Sequence, residues 1–597
     1  MSTSTTAIDE AMTLSEPHPS ITVYSSLTKR KDPFRTVEPG RVGIYLCGPT
    51  VYDKAHIGHM VGPVIFDAIK RYLTYCGYKV TWVVNITDVD DKLIAKASER
   101  GISMLAVAEE NILDYHGNLH ALGVDQIDHF PRATECMPEI IGIIERLIER
   151  GFAYESGGDV YFDVARDADY GKLSNRTLDA VQGDGGGGAD RKRHAADFAL
   201  WKSAKPGEPS WESPWSKGRP GWHIECSAMS KKLLGETFDI HGGGLDLVFP
   251  HHENEIAQSE CCHGKPLATY WTHNGLLRRD ASAGKIGGRA ERDQKAGDGI
   301  AGPDDAVSGK MSRSKGAGGL ADLIKRQGGE RIRFFLLRTH YRSTVLFSEE
   351  AIAEAAIGLE SFYRLFKRYQ RITASDFYAL QPPAHRAPHE AGDGIAGPSS
   401  ANPALIAAAA CKAKFLAAMD DDFNTGGAMA ELFELAKIAN RYCEEHNLET
   451  TGADNQTIGT LTLLASTLKE LASILGLFLM PPALPVDGTN NALLGKVMEL
   501  VIDLRTDARK AKNFAIADAI RDGLAPTGVK LEDRAGGTEW TGGGEGSLDG
   551  VVAMLIALRQ TARANKDFAT ADAIRDRLAE AGIKLEDRPG GVEWSRA

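Results

Sequence analysis

The chain of 597 residues lacks any hydrophobic run long enough to cross a bilayer. Its most apolar stretch, 471–480, has only ten residues, whereas a spanning helix needs about 20. The first 20 residues are polar and rich in serine and threonine, without the basic start and apolar core of a secretory signal. These absences predict a cytoplasmic protein with no membrane partner.

Cysteine and positive charge are also scarce. Eight cysteines at irregular spacings do not resemble a disulfide framework and indicate a reducing compartment, where thiols are free for metal binding or catalysis. Acidic side chains (81) outnumber lysine and arginine (69), which gives a net charge of −12. This balance argues against a protein that coats nucleic acid through its overall charge, but it leaves room for a local basic track.

The apolar pattern predicts an α/β region followed by helices. A strand-like run at 42–48, helical spacing from 56 to 77 and a second strand-like run at 79–87 alternate in the order that forms a parallel sheet. From 348 to 481 the spacing is helical almost throughout, which is typical of an all-α domain. We therefore expect a Rossmann-type parallel sheet with an inserted subdomain, then a helical domain, then a small duplicated module.

The C-terminal module is a sequence repeat. Residues 510–540 recur 54 residues later, with 21 of 31 positions identical. Two segments, 279–309 and 388–402, share the octapeptide A-G-D-G-I-A-G-P and are predicted to be flexible surface loops. The predicted domains begin with a disordered tail (1–20) and an α/β domain (21–347), which has a helical or connective insertion (about 105–220) and a flexible insertion (about 279–309). A helical bundle (348–490) follows, and two C-terminal copies (491–540 and 551–597) are joined by a linker (541–550).

Two motifs indicate phosphate binding. His56-Ile57-Gly58-His59 follows the first predicted strand at the start of a helix, where exposed N–H groups attract phosphate and Gly58 permits close backbone approach. Lys310-Met-Ser-Arg313-Ser lies in a polar loop and offers two cations and two hydroxyls. Either motif alone fits an ordinary surface loop, but both in this order favour a nucleotide triphosphate as ligand.

Several further segments carry a family resemblance. They are Y-L-C-G-P-T-V-Y-D-K around Cys47, N-I-T-D-V-D-D-K at 85–92, D-F-A-L-W-K at 197–202, G-W-H-I-E-C at 221–226 and F-P-H-H-E-N-E at 249–255. Together with the two phosphate motifs, they resemble the cysteinyl-tRNA synthetases of class I. The resemblance runs from about 23 to 350, is looser through the helical region and returns in each tail repeat.

The resemblance implies a zinc ion held by four side chains, Cys47, Cys226, His251 and Glu255. His251 and Glu255 are four residues apart and would share one face of a helix. Zinc binds a thiolate well and a protonated hydroxyl poorly, so it would select cysteine over serine without a hydrolytic editing site. The neighbouring side chains expected to be structural are His252, Glu253, Cys261 and Cys262.

The same resemblance implies an enzyme that joins L-cysteine to tRNA(Cys). ATP with Mg²⁺ would convert cysteine into cysteinyl-adenylate, and a terminal ribose hydroxyl of the tRNA would then take the cysteinyl group. Neither step needs a protein nucleophile, so positioning and charge stabilisation would carry the rate. The implied catalytic residues are His56, His59, Lys310 and Arg313, which would also bind ATP with Gly58, His241, Gly243 and Asp246, while Cys47, Thr87 and Trp222 would bind cysteine. Trp222 also fits an ordinary core position, and Asp246 a loop cap.

Three features depart from the family pattern. Arg313 replaces the second lysine of the usual K-M-S-K-S, no basic residue follows H-I-G-H in Met60-Val-Gly-Pro63, and the insertion 279–309 lies immediately before the K-M-S-R-S loop. The resemblance also implies that 21–347 is the catalytic domain and that the helical bundle 348–490 binds tRNA. Residues 310–342 contain nine lysines and arginines against two acids, which predicts a track for acceptor-stem phosphates. Each tail repeat resembles an anticodon-reading end in which Trp540 or Trp594 would stack on a base, and the later copy is the expected reader.

Two other functions fit part of the pattern. An adenylate-forming ligase could pass cysteine to an amino sugar, as in mycothiol biosynthesis, but such relatives lack a tRNA-reading tail. A catalytically inactive relative could serve as an RNA-binding protein, but both phosphate motifs and all four metal positions are intact. The favoured hypothesis is therefore a monomeric, cytoplasmic cysteine–tRNA ligase.

Overall fold

The computed structural model describes residues 20–176, 189–279, 319–386, 402–449, 454–482, 490–534, 537–542, 547–588 and 591–596. The chain divides into two compact units, Met1–Tyr442 with Gln456–Met480 and Cys443–Asn455 with Pro481–Ala597. Within the described segments, no helix combines the length and apolar character needed to cross a membrane.

The first unit contains twelve strands and most of the helices among the described residues. Its strands are β1 (Thr22–Ser25), β2 (Arg30–Pro33), β3 (Arg41–Leu46), β4 (Lys79–Val84), β5 (Ala153–Ser156), β6 (Asp159–Phe162), β7 (Phe198–Ser203), β8 (Gly218–Pro220), β9 (Phe238–Gly244), β10 (Ala268–Asn274), β11 (Leu277–Arg279) and β12 (Val345–Phe347). The helices before residue 482 are α1 (Gly58–Tyr75), α2 (Asp91–Arg100), α3 (Met104–Ala121), α4 (Met137–Glu149), α5 (Trp222–Leu234), α6 (Glu253–His263), α7 (Leu320–Gln327), α8 (Gly329–Leu337), α9 (Glu349–Thr373), α10 (Pro403–Asp420), α11 (Thr425–Glu445) and α12 (Asn455–Ile474).

The centre of this unit is a parallel sheet in the order β10-β9-β3-β4. Its strands are buried along most of their length, as expected when helices cover both faces, and β3 and β4 are largely apolar. Val42, Ile44 and Leu46 are buried in β3, and Trp82, Val83 and Val84 in β4. The predicted Rossmann-type α/β fold is therefore confirmed.

The insertion between the two halves of the sheet has its own antiparallel sheet. It follows the order β5-β6-β7-β8, and all three strand pairs are antiparallel. Helix α4 packs against helices α5 and α6, so its apolar face joins the core below the central sheet.

A buried arginine connects three parts of the first unit. Arg333 on α8 is fully buried and pairs with Asp67 on α1, which also accepts a hydrogen bond from Arg71 at 2.7 Å. The remaining N–H groups of Arg333 donate to the carbonyls of Leu475 (2.9 Å), Leu122 (3.3 Å) and Gly123 (3.1 Å). The helix that begins at H-I-G-H is thereby tied to the end of α3 and to the end of the helical region.

The second unit folds the two sequence repeats into one body. Its elements are α13 (Asn490–Lys510), α14 (Phe514–Leu524), β13 (Val529–Arg534), β14 (Gly537–Gly542), α15 (Ser547–Ala564), α16 (Phe568–Glu580), β15 (Ile583–Arg588) and β16 (Gly591–Arg596). Each copy is thus two helices and an antiparallel hairpin. Helix α15 begins at Ser547, inside the stretch 541–550 that the sequence predicted as a linker.

The copies share a single hydrophobic core, to which both contribute buried leucine, valine and isoleucine side chains. Arg577 of the second copy faces Asp503 and Asp507 of the first at 3.6 and 3.7 Å. At the matching position the first copy has Gly523, where a Cβ would come within 2.5 Å of Met554. Neither copy therefore completes its core alone.

Deletion of residues 543–597 is expected to unfold the first copy, because it removes Val551, Leu555 and Ile574 from the core. Hydrogen–deuterium exchange of the truncated chain should find the amides of 490–534 unprotected, and those of the first unit as protected as in the full chain. Full protection of 490–534 after the deletion would mean that the first copy folds independently.

Candidate functional site

A cavity of 390 Å³ is lined by half of the predicted site residues. It lies at the carboxyl ends of β3 and β9, where the strand order reverses, and open parallel sheets bind ligands at this position. The predicted residues in its wall are Cys47, His56, Gly58, His59, Trp222, Gly243 and Asp246. The fold thus places the H-I-G-H motif, one predicted zinc ligand and part of the predicted nucleotide site in the wall of one cavity.

The four predicted zinc ligands meet beside this cavity. Cys47 follows β3, Cys226 lies one turn into α5, and His251 occupies the helical turn that runs into α6, where Glu255 lies four residues later. Their ligand atoms all lie within 4.8 Å of one another. Cys226, His251 and Glu255 are buried, and only Cys47 is partly exposed, so the cluster opens toward the cavity through Cys47.

The spacing of these atoms fits a tetrahedral zinc ion. Bonds of about 2.3 Å to sulfur and 2.0–2.1 Å to nitrogen or oxygen separate the ligands of such an ion by roughly 3.3–3.8 Å. The two sulfurs are 4.0 Å apart, Cys47 Sγ is 3.4 Å from Glu255 Oε1, and Cys226 Sγ is 3.6 Å from His251 Nε2. His251 Nε2 and Glu255 Oε1 are 3.0 Å apart. The donor set of two thiols, an imidazole and a carboxylate is one that zinc accepts.

The charges of the cluster also suit a cation. Burial disfavours ionisation of Cys226, but its hydrogen bonds with Cys47 and His251 outweigh burial and lower the pKa of this thiol to about 6. Burial raises the pKa of Cys47 well above its usual value, and the adjacent Cys226 adds to the rise. For Glu255, burial is overcome by His241 and His251, which hold the pKa of the carboxyl well below its usual value. These directions favour a thiolate at Cys226 and a carboxylate at Glu255. Burial would lower the pKa of His251, but Glu255 and Cys226 raise it to about 10, so this imidazole must release its proton when a metal ion binds.

A second group of side chains, Cys47, His241, His252 and Glu255, also lies within 4.8 Å. In the predicted set, His251 turns one ring nitrogen to the cluster and the other to His223 Nδ1 at 2.9 Å. A metal-ligating histidine usually has such an outer partner on its second nitrogen. In the second group His252 has an outer partner of the same kind, His273 at 2.7 Å, and His241 contacts Glu255 Oε2 at 2.8 Å, so the predicted set is distinguished by its second thiol, Cys226.

Trp222 forms the boundary between the cluster and the cavity. Its ring stacks on His251 with 4.1 Å between centroids, and 38% of the residue is exposed. A fully buried core position, the other reading of this tryptophan, is therefore wrong. In this place the indole keeps water from one side of the cluster.

The two motif histidines lie against each other at the start of α1. The rings of His56 and His59 stack at 3.7 Å, and a Cβ on Gly58 would press on the His56 ring at 3.0 Å. No side chain caps this end of α1. Lys310 and Arg313, predicted to close over the phosphates, lie outside the described residues, as does the start of the basic track at 310–342.

Two of the described residues that were predicted to bind cysteine or ATP do not line the cavity. Thr87 is buried and donates a hydrogen bond to Glu225 Oε2 at 3.0 Å. His241 is buried behind the cluster, where it stacks on Trp271 at 4.2 Å. Both side chains lie behind the residues of the cavity wall, in positions that support them.

Other residues of the wall were not singled out from the sequence. Lys92 lies over the ring of Tyr52 at 5.4 Å, and both line the cavity with Asn274 and Arg278. Asn274 Oδ1 is buried without a hydrogen-bond partner among the described residues. Lys92 is the last residue of the N-I-T-D-V-D-D-K segment, so it could have been predicted as a site residue from that motif. Asn274 lies in no such motif, and nothing in the sequence indicated a role for it.

Comparisons with known proteins agree with this geometry. The family model for the tRNA synthetases class I (C) catalytic domain matches residues 33–283, and that for the DALR domain matches 414–479. The model for the cysteinyl-tRNA ligase anticodon binding domain matches 546–594, which is the second C-terminal copy. The solved structure of Mycobacterium tuberculosis methionyl-tRNA synthetase bound by methionyl-adenylate has a TM-score of 0.51 at 15% identity, covering 77% of this chain and 94% of that one, and supports the fold alone.

Curated relatives extend the similarity along the chain. The cysteine–tRNA ligase of Brevibacillus brevis is 43% identical over 527 residues, which cover 87% of this chain and 99% of that protein. The cysteine–tRNA ligase of Geobacter metallireducens is 42% identical over 581 residues, covering 96% of this chain and 99% of the relative. With this identity over nearly the full length of its relatives, the chain belongs to the cysteine–tRNA ligase family.

Proposed function

We propose that this protein activates L-cysteine with ATP to cysteinyl-adenylate and transfers the cysteinyl group to the 3′ end of tRNA(Cys), as a monomer in the cytoplasm. The observation that carries the proposal is the juxtaposition of the Cys47–Cys226–His251–Glu255 cluster with the H-I-G-H motif at one cavity. The match of the anticodon binding domain model to 546–594 supports tRNA as the acceptor, and no observation favours an amino sugar or an inactive relative.

The cluster would select the amino acid. Its four side chains would hold a zinc ion, which supplies a soft Lewis acid that accepts a thiolate and not a serine hydroxyl. A selectivity of about 10⁴ corresponds to roughly 5–6 kcal/mol, a difference that size alone does not provide between sulfur and oxygen. Trp222 and Cys47 would form the wall that receives the cysteine side chain.

The H-I-G-H residues would bind the other reactant, ATP. His56 and His59 would donate hydrogen bonds to phosphate oxygens of ATP, which binds with Mg²⁺, at the N-terminal end of α1. The adenosine of ATP would be faced by Gly243, by Asp246 and by the buried side-chain oxygen Oδ1 of Asn274. We expect Lys310 and Arg313 to close over the phosphates while the cysteine carboxylate attacks the α-phosphorus in line and pyrophosphate leaves.

Substitution of His59 by alanine is expected to lower cysteine-dependent ATP–pyrophosphate exchange by about 10²–10³-fold, because it removes a donor to the developing phosphate charge. Bound zinc should stay near one ion per chain, since His59 lies outside the cluster. His120→Ala, which removes an exposed histidine at the end of α3, is the matched control and should exchange normally. Exchange by His59→Ala at the rate of the control would rule out the phosphate role.

A further inference from the structure

Two phenylalanines in the second unit are exposed at equivalent places in the two copies. Phe514 is 60% exposed and Phe568 is 59% exposed, and each is the first residue of a helix, α14 or α16. The two tryptophans that the sequence suggested as stacking surfaces, Trp540 and Trp594, instead pack against the shared core. The aromatic surface available to a ligand is therefore at the helix starts.

The loops before these phenylalanines have the same conformation. Lys512 and Lys566 both adopt a positive φ of 58°, and the next residue caps the helix through its side chain in each copy. The cap of the first copy is the neutral Asn513, whereas that of the second is the acidic Asp567. The two loops thus present a lysine and a phenyl ring in the same local arrangement.

The amino-acid sequences of the two copies agree on one exposed helix face and differ at two positions where the copies meet. The exposed side chains of α14 (Asp518, Arg521 and Asp522) recur unchanged on α16. Gly523 and Thr527, which differ from their counterparts, contact the second copy through Met554 and Ser547. The two copies therefore present the same charged helix face, and two of the positions at which they differ lie where the copies meet.

The loop of the first copy is the more basic of the two. Lys510 and Lys512 are exposed there, with no acidic residue between them and Phe514, and the adjacent Arg509 is paired with Asp533 at 2.8 Å. The equivalent stretch of the second copy has Arg563, alanine, asparagine and Lys566, followed by Asp567. In a chain of net charge −12, this is a local site suited to phosphate.

We propose that the first copy is a second RNA contact, in which Phe514 stacks on an unpaired base and Lys510 and Lys512 meet the adjoining phosphates. The proposal rests on the proposed function, which makes the RNA a single-stranded part of the tRNA substrate. An exposed aromatic ring beside cations is the arrangement that binds single-stranded nucleic acid without sequence preference. The surrounding Asp518 and Arg521 are charged, so the ring is not part of the larger apolar patch that a protein partner would need.

The test measures the affinity of the full-length protein for a tRNA(Cys) transcript at several salt concentrations. Phe514→Ala is expected to weaken binding about 5- to 100-fold, the range of one base stacked on an aromatic ring. Phe514→Trp should bind like the unaltered protein because it keeps a ring, and Phe514→Leu should be weak because it keeps only apolar area. Lys512→Asn, which tolerates the positive φ, should lower the slope of log affinity against log salt by about 0.7.

The control for charge is Lys530→Gln, which removes an exposed lysine from β13 in the same copy and should leave both affinity and slope unchanged. The proposal is overturned if Phe514→Ala binds as tightly as the unaltered protein while Phe568→Ala does not, because the first copy is then only structural. It is also overturned if Phe514→Leu binds the tRNA as tightly as Phe514→Trp, because an aromatic ring is then not needed. The same holds if Lys530→Gln lowers the salt slope as much as Lys512→Asn, because the position of the lysine then does not matter. Cysteine-dependent ATP–pyrophosphate exchange by the unaltered protein tests the proposed function separately. A failure of the proposed function can therefore be distinguished from a failure of the proposed RNA contact.

Discussion

Replacement of Cys226 by serine is expected to remove the bound metal and to lower cysteine-dependent ATP–pyrophosphate exchange by about 10³-fold or more. Cys226 is 1% exposed and lies 4.0 Å from Cys47 and 3.6 Å from His251, so a serine there leaves Cys47, His251 and Glu255 without their fourth ligand. Retention of a full complement of metal would instead indicate the second group, in which His241 and His252 join Cys47 and Glu255. A serine hydroxyl stays protonated at neutral pH and is a poor zinc ligand. Metal content should fall from one ion per chain to near zero, while the affinity for ATP changes little.

The matched control for this variant is Cys261→Ser. Cys261 is also buried, lies on α6 with Glu255, and is absent from both groups of potential metal ligands among the described residues. Burial raises the pKa of this thiol above its usual range, as expected of an inert core cysteine. Cys261→Ser should keep its metal and most of its activity. An unchanged affinity of Cys226→Ser for cysteine would contradict the selection role.

Replacement of Arg333 by methionine is expected to lower the free energy of unfolding of the first unit by about 3–5 kcal/mol. Methionine fills a similar volume but leaves the fully buried Asp67 with Arg71 as its remaining cationic partner. It also removes the donors to the buried carbonyls of Leu475, Leu122 and Gly123. Urea unfolding followed by tryptophan fluorescence measures the change, since six of the eight tryptophans belong to the first unit.

Arg331→Met provides the comparison for Arg333. Arg331 lies on the same helix and pairs with Glu360 at 3.2 Å, but the two side chains are 35% and 56% exposed. An exposed pair of this kind contributes about 0–1 kcal/mol, so this variant should unfold almost like the unaltered protein. Equal losses for the two variants would show that the buried network around Asp67 adds no stability of its own.

The α/β fold could be predicted from local signals, because β3 and β4 are largely apolar strands that alternate with helical spacing. The grouping of Cys47, Cys226, His251 and Glu255 was predicted through the family resemblance, and the fold brings these residues together although Cys47 and Glu255 are 208 positions apart. The positions of Thr87 and His241 could not be predicted in the same way. Whether a strand-end side chain faces the cavity or the core depends on neighbours such as Glu225 and Trp271.

The second unit illustrates a different limit of the sequence. The repeat predicted two modules with a linker between them, because each copy has the same pattern of helices and strand. The shared core forms only when both copies are present, and its partners, such as Val501 with Val551, lie in different copies. The same packing draws Trp540 and Trp594 inward and leaves Phe514 and Phe568 exposed. A repeat pattern gives the elements, but the contacts between copies decide which aromatic side chains remain exposed.

X-ray absorption spectroscopy of the zinc-loaded protein tests the central claim most directly, because it counts the sulfur atoms bound to the metal. Without L-cysteine, we expect the zinc ion to have two sulfur ligands, from Cys47 and Cys226, and two lighter ligands, from His251 and Glu255. Addition of L-cysteine should raise the count to three sulfurs, and L-serine should leave it at two. A count that stays at two with L-cysteine would contradict thiolate selection by the metal, and a protein that binds no zinc would contradict the cluster itself.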